Sequence, residues 1–211
     1  MGQKVNAKAF RLGPIYTWDS RWFAEGDRYK KLVLEDAKIR KLLESKLKRS
    51  SVGKLEIERS INKIEIIIHT AKPGMVIGRG GKNLEEVNKL VSSVLEQKNK
   101  GKETKLEIKV EPIKKPDLDA TIVAQNIADR LEKRIRHRRV IHQAMDRVME
   151  AGAKGVKVTL SGRIAGAEIS RREKYKEGKV PLSTIRAEID FAKLPALTRS
   201  GYIGIKVWIC K

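Results

Sequence analysis

The sequence is poor in cysteine and in long apolar runs. Cys210 is the only cysteine among 211 residues, so an intrachain disulfide and a cysteine-rich zinc site are both excluded. We expect the protein to lie in a reducing cytoplasm, and we expect this thiol to be an unreactive residue of a strand. The longest apolar runs, such as residues 66–68, are far shorter than the ~20 residues of a membrane helix. The start lacks an apolar signal core, and Asn6 replaces the Ser or Thr of a myristoylation motif, so we expect no membrane partner.

Acidic residues are also scarce relative to basic ones. Aspartate and glutamate number 26 against 47 lysines and arginines, which leaves a net charge of +21 and a pI near 10.1. The excess is +2 in residues 1–25, +8 in 26–111 and +11 in 112–211, from basic and acidic counts of 4 and 2, 21 and 13, and 22 and 11. A surplus spread through sequence that can fold requires a polyanionic partner, and nucleic acid fits that requirement best.

Aromatic residues make up only 5% of the chain, and their distribution separates an N-terminal segment. Five of the ten lie in residues 1–25. This segment is either an extended arm that docks elsewhere or a terminus packed on its own domain. Pro112 and Pro116 then mark the best boundary between a region 26–111 and a region 112–211. We expect an arm followed by two domains.

The apolar pattern of residues 26–111 predicts the order helix, strand, strand, glycine-rich loop, helix, strand. Helical spacing favours a helix from Asp27, a candidate N-cap, to about Arg49, and another after the loop. Alternation favours strands around residues 55–57, 64–68 and 106–110, with a turn at residues 60–62 between the first two.

Residues 76–82 read Val-Ile-Gly-Arg-Gly-Gly-Lys and could bind phosphate in three ways. A P-loop ending at Gly81-Lys82 and a dinucleotide fingerprint starting at Gly78 both fail at Asn83, which stands where the first needs Ser or Thr and the second needs glycine. What remains is the G-x-x-G loop of K-homology (KH) domains, which clamps about four nucleotides of a single strand. An ordinary helix-capping glycine turn is the alternative. The candidate RNA-binding residues of the loop are Ile77, Gly78, Arg79, Gly80, Gly81 and Lys82.

Residues 112–211 predict two helices followed by four strands. Asp117 is the candidate N-cap of the first helix, and the second ends at Ala151-Gly152. The strands are expected around residues 156–160, 167–175, 185–191 and 203–209. The expected fold is an α+β domain of two helices packed on a four-stranded sheet.

Two basic clusters lie in this second domain. Residues 133–139 hold five cations, and with Glu132 as the one acid nearby phosphate binding is favoured over a solvated helix face. In the second predicted strand, Ile169 is expected to point inward and Ser170 to the opposite face with the cations that follow. Cross-strand pairing with Glu188 and Asp190 is the alternative. The candidate RNA-binding residues here are Arg163, Arg171, Arg172, Lys174 and Lys176, with Lys179 and Arg186 nearby in sequence.

Residues that could perform catalysis are few. Glu188 and Asp190 share a predicted strand face and could hold a metal or act as acid and base, but salt bridges with Arg186 and the basic strand are favoured. The histidines at 69, 137 and 142 lack the spacing of metal ligands. We expect no enzyme, no cofactor, no metal and no small-molecule substrate.

Several segments together resemble the bacterial small-subunit ribosomal protein S3 family over essentially the full length. The matching segments are residues 1–6, 10–13, 76–81, 161–163, 166–169, 180–182 and 204–209. The resemblance implies a type II KH domain with the order αββααβ. It also implies ribosomal RNA and neighbouring proteins of the small-subunit head as partners. Ala7 and Ala9 replace the family's usual proline and glycine, so the backbone there is expected to differ.

The resemblance further implies a basic surface where mRNA enters the ribosome. Arg138 and Arg139 match two basic positions of that surface, and His142 replaces a third that is usually lysine. A neutral imidazole weakens a phosphate contact there. The candidate mRNA-binding residues are Arg134, Arg136, Arg138, Arg139 and His142. The alternative function is a free KH regulator or an RNA-processing factor that acts on separate transcripts.

Overall fold

The computed structural model describes residues 4–60, 63–96 and 105–211, and these form two compact units. Residues 18–114 form the first unit, and residues 115–211 form the second together with the N-terminal residues up to Thr17. The segment 1–25, predicted as one arm, is therefore divided between the units. The division follows the hydrogen bonds, because Arg11 donates to carbonyls of residues 181–187 whereas Trp22 donates to Asp36.

The first unit is a four-stranded sheet covered on one face by helices. The strands β2 and β3 are antiparallel, and the short β1 and the last strand β4 run parallel to their neighbours in the order β1-β2-β3-β4. This arrangement confirms the KH fold class and its αββααβ order. The elements are β1 (Ser20–Arg21), α1 (Gly26–Lys46), β2 (Val52–Arg59), β3 (Lys63–Thr70), α2 (Pro73–Ile77), α3 (Lys82–Glu96) and β4 (Lys105–Pro112).

Alternation and helical spacing explain the core of this unit. Ile64, Ile66 and Ile68 are buried on β3 while the residues between them are half-exposed, and each buried isoleucine contributes roughly 1.5–3 kcal/mol. They meet the apolar faces of α1 and α3. The predicted turn at residues 60–62 falls partly outside the described residues.

Two local predictions for this unit need correction. Asp27 is not the N-cap of α1: Glu25 occupies that position without a side-chain bond, and Asp27 lies in the first turn, where its charge still favours the helix dipole. The apolar pattern also missed the short helix α2, because five residues are too few for helical periodicity to show.

The second unit confirms the predicted two helices on a four-stranded sheet. Its sheet order is β6-β5-β8-β7 with every pair antiparallel, and both helices pack on one face through a common apolar cluster. The elements are α4 (Ala120–Glu132), α5 (His137–Glu150), β5 (Gly155–Gly162), β6 (Arg171–Gly178), β7 (Ile189–Thr198) and β8 (Gly201–Cys210).

The predicted cap and two strand starts in this unit were wrong. Asp119, not Asp117, caps α4 by accepting from the backbone N–H groups of Thr121 and Ile122. Ile169 is 81% exposed and Ile185 is 46% exposed, because the chain leaves the sheet at residues 163–170 and 179–188. In both stretches, turns with local hydrogen bonds replace the strand ladder.

The roles predicted for the two carboxylates at 188 and 190 also change. Glu188 pairs with Lys211 at 3.8 Å, and Asp190 accepts from the backbone N–H of Ala120 at the start of α4. The cations of β6 cannot pair with them across the sheet, because β6 and β7 are opposite edge strands.

None of the helices among the described residues has the length and apolar character needed to cross a membrane. Within the same residues, no three His, Cys, Asp or Glu side chains are grouped so that they could hold a metal ion. Cys210 is buried with a free thiol near the end of β8.

Candidate nucleic-acid interface

The glycine loop connects α2 to α3 in a conformation that requires glycine. Gly78, Gly80 and Gly81 have φ angles of 73°, 62° and 82°, a region that residues with a Cβ rarely adopt. At Gly78 a Cβ would also lie 2.7 Å from the Asn83 side chain, whereas at Gly80 it would meet open space. The Asn83 amide in turn donates to the carbonyl of Met75 at 3.0 Å and ties the loop to α2.

The loop places cations beside the first turn of α3. Arg79 and Lys82 are exposed, and neither is paired with a carboxylate among the described residues. Backbone N–H groups at the start of a helix and its dipole both attract phosphate. The predicted loop residues 77–82 therefore lie together on one exposed edge of the unit, with backbone that a phosphate can approach closely.

The connection between α4 and α5 exposes a group of arginines on a strained turn. Arg134 has a φ of 60°, its N–H donates to the Leu131 carbonyl, and the N–H of Ile135 donates to the Arg130 carbonyl. This is a Schellman motif whose left-handed position normally holds glycine. An arginine there costs about 1 kcal/mol or more of folding stability. The turn therefore carries a cation at a position where glycine would be less strained.

We expect Arg134→Gly to stabilise the second unit by about 0.5–1 kcal/mol, because glycine relieves the left-handed strain while adding some unfolded-state entropy. Thermal unfolding should show a rise in Tm. Arg134→Asn should act in the same direction, and Arg134→Lys should leave Tm unchanged because it keeps both the Cβ strain and the charge. A lower Tm for both Gly and Asn variants would show that the arginine side chain stabilises the turn.

The same arginines surround a cavity of about 580 Å³. Arg163 lines this cavity with Arg134, Arg136 and Arg138, and Arg199 joins them from the turn between β7 and β8. The structure thus places Arg163, which was grouped with the β6 cations, in this cavity and adds Arg199, which no sequence pattern predicted. Arg139 is exposed on the first turn of α5.

The side chains of β6 alternate between the two faces of the second sheet. Arg172, Lys174 and Lys176 are exposed on one face, as predicted, while Glu173 and Tyr175 turn toward α5. Arg171, a predicted RNA-binding residue, is half-exposed, and its Nε lies 2.8 Å from Glu173. Ser170 precedes the strand and is not part of the face.

Glu173 links β6 to the start of α5. Its carboxylate accepts from the Tyr175 hydroxyl at 2.6 Å and lies 3.1 Å from His137 Nε2. The hydrogen bond from Tyr175 lowers the pKa of Glu173 against the opposing effect of burial, and the nearby charges of His137 and Arg171 add to the lowering. His142 contacts the Tyr175 ring edge-on at a centroid distance of 5.7 Å. The predicted mRNA-binding side chains Arg138 and His142 are thereby placed next to Lys174.

Sequence reasoning missed four cations on the same sheet face as Lys174. Lys157, Lys193 and Lys206 alternate with buried residues on β5, β7 and β8, and Lys4 lies beside them. The alternation was visible, but only the observed strand order shows that these lysines are neighbours.

The two sheets differ sharply in how their outer cations are neutralised. On the first sheet Lys63 lies 2.6 Å from Glu107 and 2.9 Å from Glu65, and these hydrogen bonds raise its pKa to about 12. On the second sheet, burial and the nearby charges of Lys4, Lys174 and Lys176 lower the pKa of Lys157. The cations of the first sheet are balanced within the unit, whereas those of the second sheet lack such partners among the described residues.

Comparison with known proteins gives the family. Residues 38–118 match the model described as KH domain, and residues 127–209 match the model described as ribosomal protein S3, C-terminal domain. The protein named small ribosomal subunit protein uS3 of Caldicellulosiruptor bescii is 51% identical over 211 residues, which are 100% of this chain and 92% of that protein. The chain belongs to the uS3 family. The uS3 proteins of Lactobacillus helveticus and Bacillus cytotoxicus are 50% and 51% identical, each covering 99% of this chain and 90% and 92% of their own lengths.

Family membership agrees with the geometry. The matched KH range contains the complete glycine loop from α2 to α3. The S3 C-terminal range contains the arginine-rich connection, β5, β6, β7 and β8 up to Ile209. Both basic regions are therefore part of domains that the family defines.

Proposed function

We propose that this chain is a non-catalytic structural component of the small ribosomal subunit that binds ribosomal RNA in the subunit head and contributes a basic surface where mRNA enters. Its site of action in this proposal is the cytoplasm, on the ribosome. The observation that carries the proposal is the set of exposed, unbalanced cations on two domains of a uS3 chain. Surfaces of this kind bind phosphate backbones through release of counterions.

Three groups of residues have roles in this proposal. The KH loop residues 77–82 approach RNA phosphates closely. Arg163, Arg171, Arg172, Lys174 and Lys176 are further RNA contacts. Arg171 also pairs with Glu173 through its Nε while its side chain stays half-exposed. The residues assigned to mRNA are Arg134, Arg136, Arg138, Arg139 and His142.

Sedimentation tests the proposal against a free KH regulator or RNA-processing factor. In a lysate separated on a sucrose gradient at moderate salt, a ribosomal component should sediment with small subunits. If most of the protein stays at the top of the gradient while ribosomes are intact, the free factor is favoured. A processing enzyme would also cleave or modify added transcripts, which the ribosomal component should leave unchanged.

We expect Arg138→Ala with Arg139→Ala to slow ribosomes at stable mRNA hairpins several-fold, because two exposed cations at the start of α5 are lost. Single-ribosome translation of a hairpin message measures this pausing. Subunit assembly should remain normal, because neither side chain belongs to the buried core. A matched control is Arg28→Ala with Lys31→Ala, two exposed cations on α1. Wild-type passage through the hairpin by the Arg138 and Arg139 variant would remove this role.

A further inference from the structure

The outer face of the second sheet carries aligned rows of side chains on the side opposite α4 and α5. Strand pairing places Lys176, Lys157, Trp208 and Phe191 in one row across β6, β5, β8 and β7. The next row is Lys174, Thr159, Lys206 and Lys193, followed by Arg172 and Ser161. The face therefore combines cations, hydroxyls and aromatic rings.

Like charges are placed directly opposite one another on this face. Lys157 is paired with Lys176, and Lys206 with Lys193. Such pairs destabilise an antiparallel sheet. Burial, and after it the nearby charges of Lys4, Lys174 and Lys176, lower the pKa of Lys157. Among the described residues that line the cavity over this face, six are Lys or Arg and none is Asp or Glu. A bound anion would relieve the repulsion.

The N-terminal segment turns this face into a cavity of about 550 Å³. Residues 4–7 and Phe10 form one wall, and Trp208 and Phe191 lie in the floor with their ring centroids 5.1 Å apart. Phe10 is 41% exposed. Lys157 Nζ lies 5.3 Å from the centroid of the Trp208 ring, so a cation and an aromatic surface are available at the same place.

Arg11 holds this wall in position. It is fully buried and donates to the carbonyls of Ala187, Thr184 and Leu182 at 2.6, 2.8 and 3.1 Å. It also donates to the Ala7 carbonyl at 2.9 Å, which fixes the wall against the loop of residues 181–187. The Asn6 side chain accepts from the backbone N–H groups of Lys8 and Ala9 and shapes the turn that presents Phe10.

We propose that this cavity binds an unpaired stretch of RNA, with Lys157, Lys174 and Lys206 contacting phosphates and Phe10 and Trp208 contacting bases. The inference rests on the proposed function and deepens it: Arg172 and Lys174 already belong to its RNA contacts, and the cavity adds Lys157, Lys206, Phe10 and Trp208 as parts of one binding site. RNA fits better than an acidic protein segment, because stacking surfaces beside cations are the features that bind single strands. The hydroxyls of Thr159, Ser161 and Ser183 in the lining offer further donors to phosphate and ribose oxygens.

Fluorine NMR of the full chain labelled with 5-fluorotryptophan tests the site directly. Trp208 lies in the cavity, whereas Trp18 and Trp22 belong to the first unit, so Trp18→Phe and Trp22→Phe assign the resonances. We expect oligouridylate to shift the Trp208 resonance saturably. Lys157→Gln, Lys174→Gln and Lys206→Gln combined should abolish the shift and flatten the log–log salt dependence of RNA affinity by about 2, at ~0.7 per lost phosphate contact.

The control carries the same loss of charge elsewhere. Lys31→Gln, Lys38→Gln and Lys41→Gln remove three exposed lysines of α1 and should leave the Trp208 shift intact. The proposal is overturned if oligouridylate leaves Trp208 unmoved, if both triple variants behave alike, or if polyglutamate produces the same shift at equal charge. Sucrose gradients of the wild-type chain keep the two proposals apart: if it sediments with small subunits while its Trp208 never responds to oligouridylate, the cavity is rejected and the ribosomal role stands.

Discussion

Replacing Arg59 by methionine should destabilise the first unit by about 3–5 kcal/mol, the typical cost of breaking a buried ion pair from one side. The Arg59 side chain is 7% exposed and lies 3.1 Å from Glu35 and 2.6 Å from Asp36, which are 5% and 7% exposed. Trp22 donates to the other oxygen of Asp36 at 2.8 Å. Without the guanidinium, the carboxylates of Glu35 and Asp36 remain buried and lose the cation that neutralises them. Urea unfolding followed by tryptophan fluorescence measures the loss.

Two comparisons separate this mechanism from a general loss of arginine. Arg21→Met removes an arginine whose side chain is 50% exposed and whose partners are Glu56 and Glu58, so it should cost less than about 1 kcal/mol. The triple variant Arg59→Met, Glu35→Gln and Asp36→Asn should recover part of the stability, because neutral side chains are cheaper to bury than charges. Equal losses for Arg59→Met and Arg21→Met would contradict the buried-network account.

The regular elements of both units could be predicted because their periodicity is strong. The buried isoleucines of β3 alternate with half-exposed residues, and the apolar stripes of α3 and α4 follow helical spacing. Hydrophobic burial determines these patterns, and each pattern is visible within a short stretch of the sequence. The glycine loop could be predicted for a related reason. Backbone with positive φ favours glycine, so a cluster of glycines in the sequence indicates such a loop.

What could not be predicted depends on partners far away in the chain. Arg11 satisfies carbonyls about 170 residues later, and Arg59 neutralises carboxylates of α1. No local sequence pattern predicts the role of either arginine. The face that holds Lys157, Lys193 and Lys206 emerges only when β8 is placed between β5 and β7. Ile169 misled the prediction of β6 because alternation continued through a segment that forms a turn instead.

Whether a cation binds RNA depends on whether the fold already balances it. Both sheets carry outward lysines, but Lys109 bonds to Glu65 and Lys54 lies 2.5 Å from Glu56 on the first sheet. Those pairs would have to break before a phosphate could bind. Net charge alone therefore overstates the RNA-binding surface of the first unit and understates the importance of its glycine loop, where Arg79 and Lys82 are exposed.

Arg79→Asp with Gly80→Asp should weaken single-stranded RNA binding at the KH loop by roughly 10- to 100-fold, the effect of losing one charge-assisted phosphate contact. Two carboxylates would then repel the phosphates that the loop and the start of α3 attract. The loop itself should survive, because a Cβ at Gly80 meets open space and aspartate tolerates positive φ better than most residues. Fluorescence anisotropy with labelled oligouridylate measures the affinity, and circular dichroism checks the fold.

Gly78 provides the contrasting variant for this loop. Gly78→Ala adds no charge but drives a Cβ to within 2.7 Å of Asn83, so it should displace the Asn83 side chain from the Met75 carbonyl and weaken binding through loop distortion. The two variants differ in their response to salt. The aspartate variant should flatten the log–log salt dependence by roughly one to two, because charge was removed and reversed, whereas the alanine variant should keep the wild-type slope. If the aspartate variant binds RNA as tightly as the wild type at low salt, the loop does not contact phosphate, and the RNA affinity of the chain belongs to its second unit.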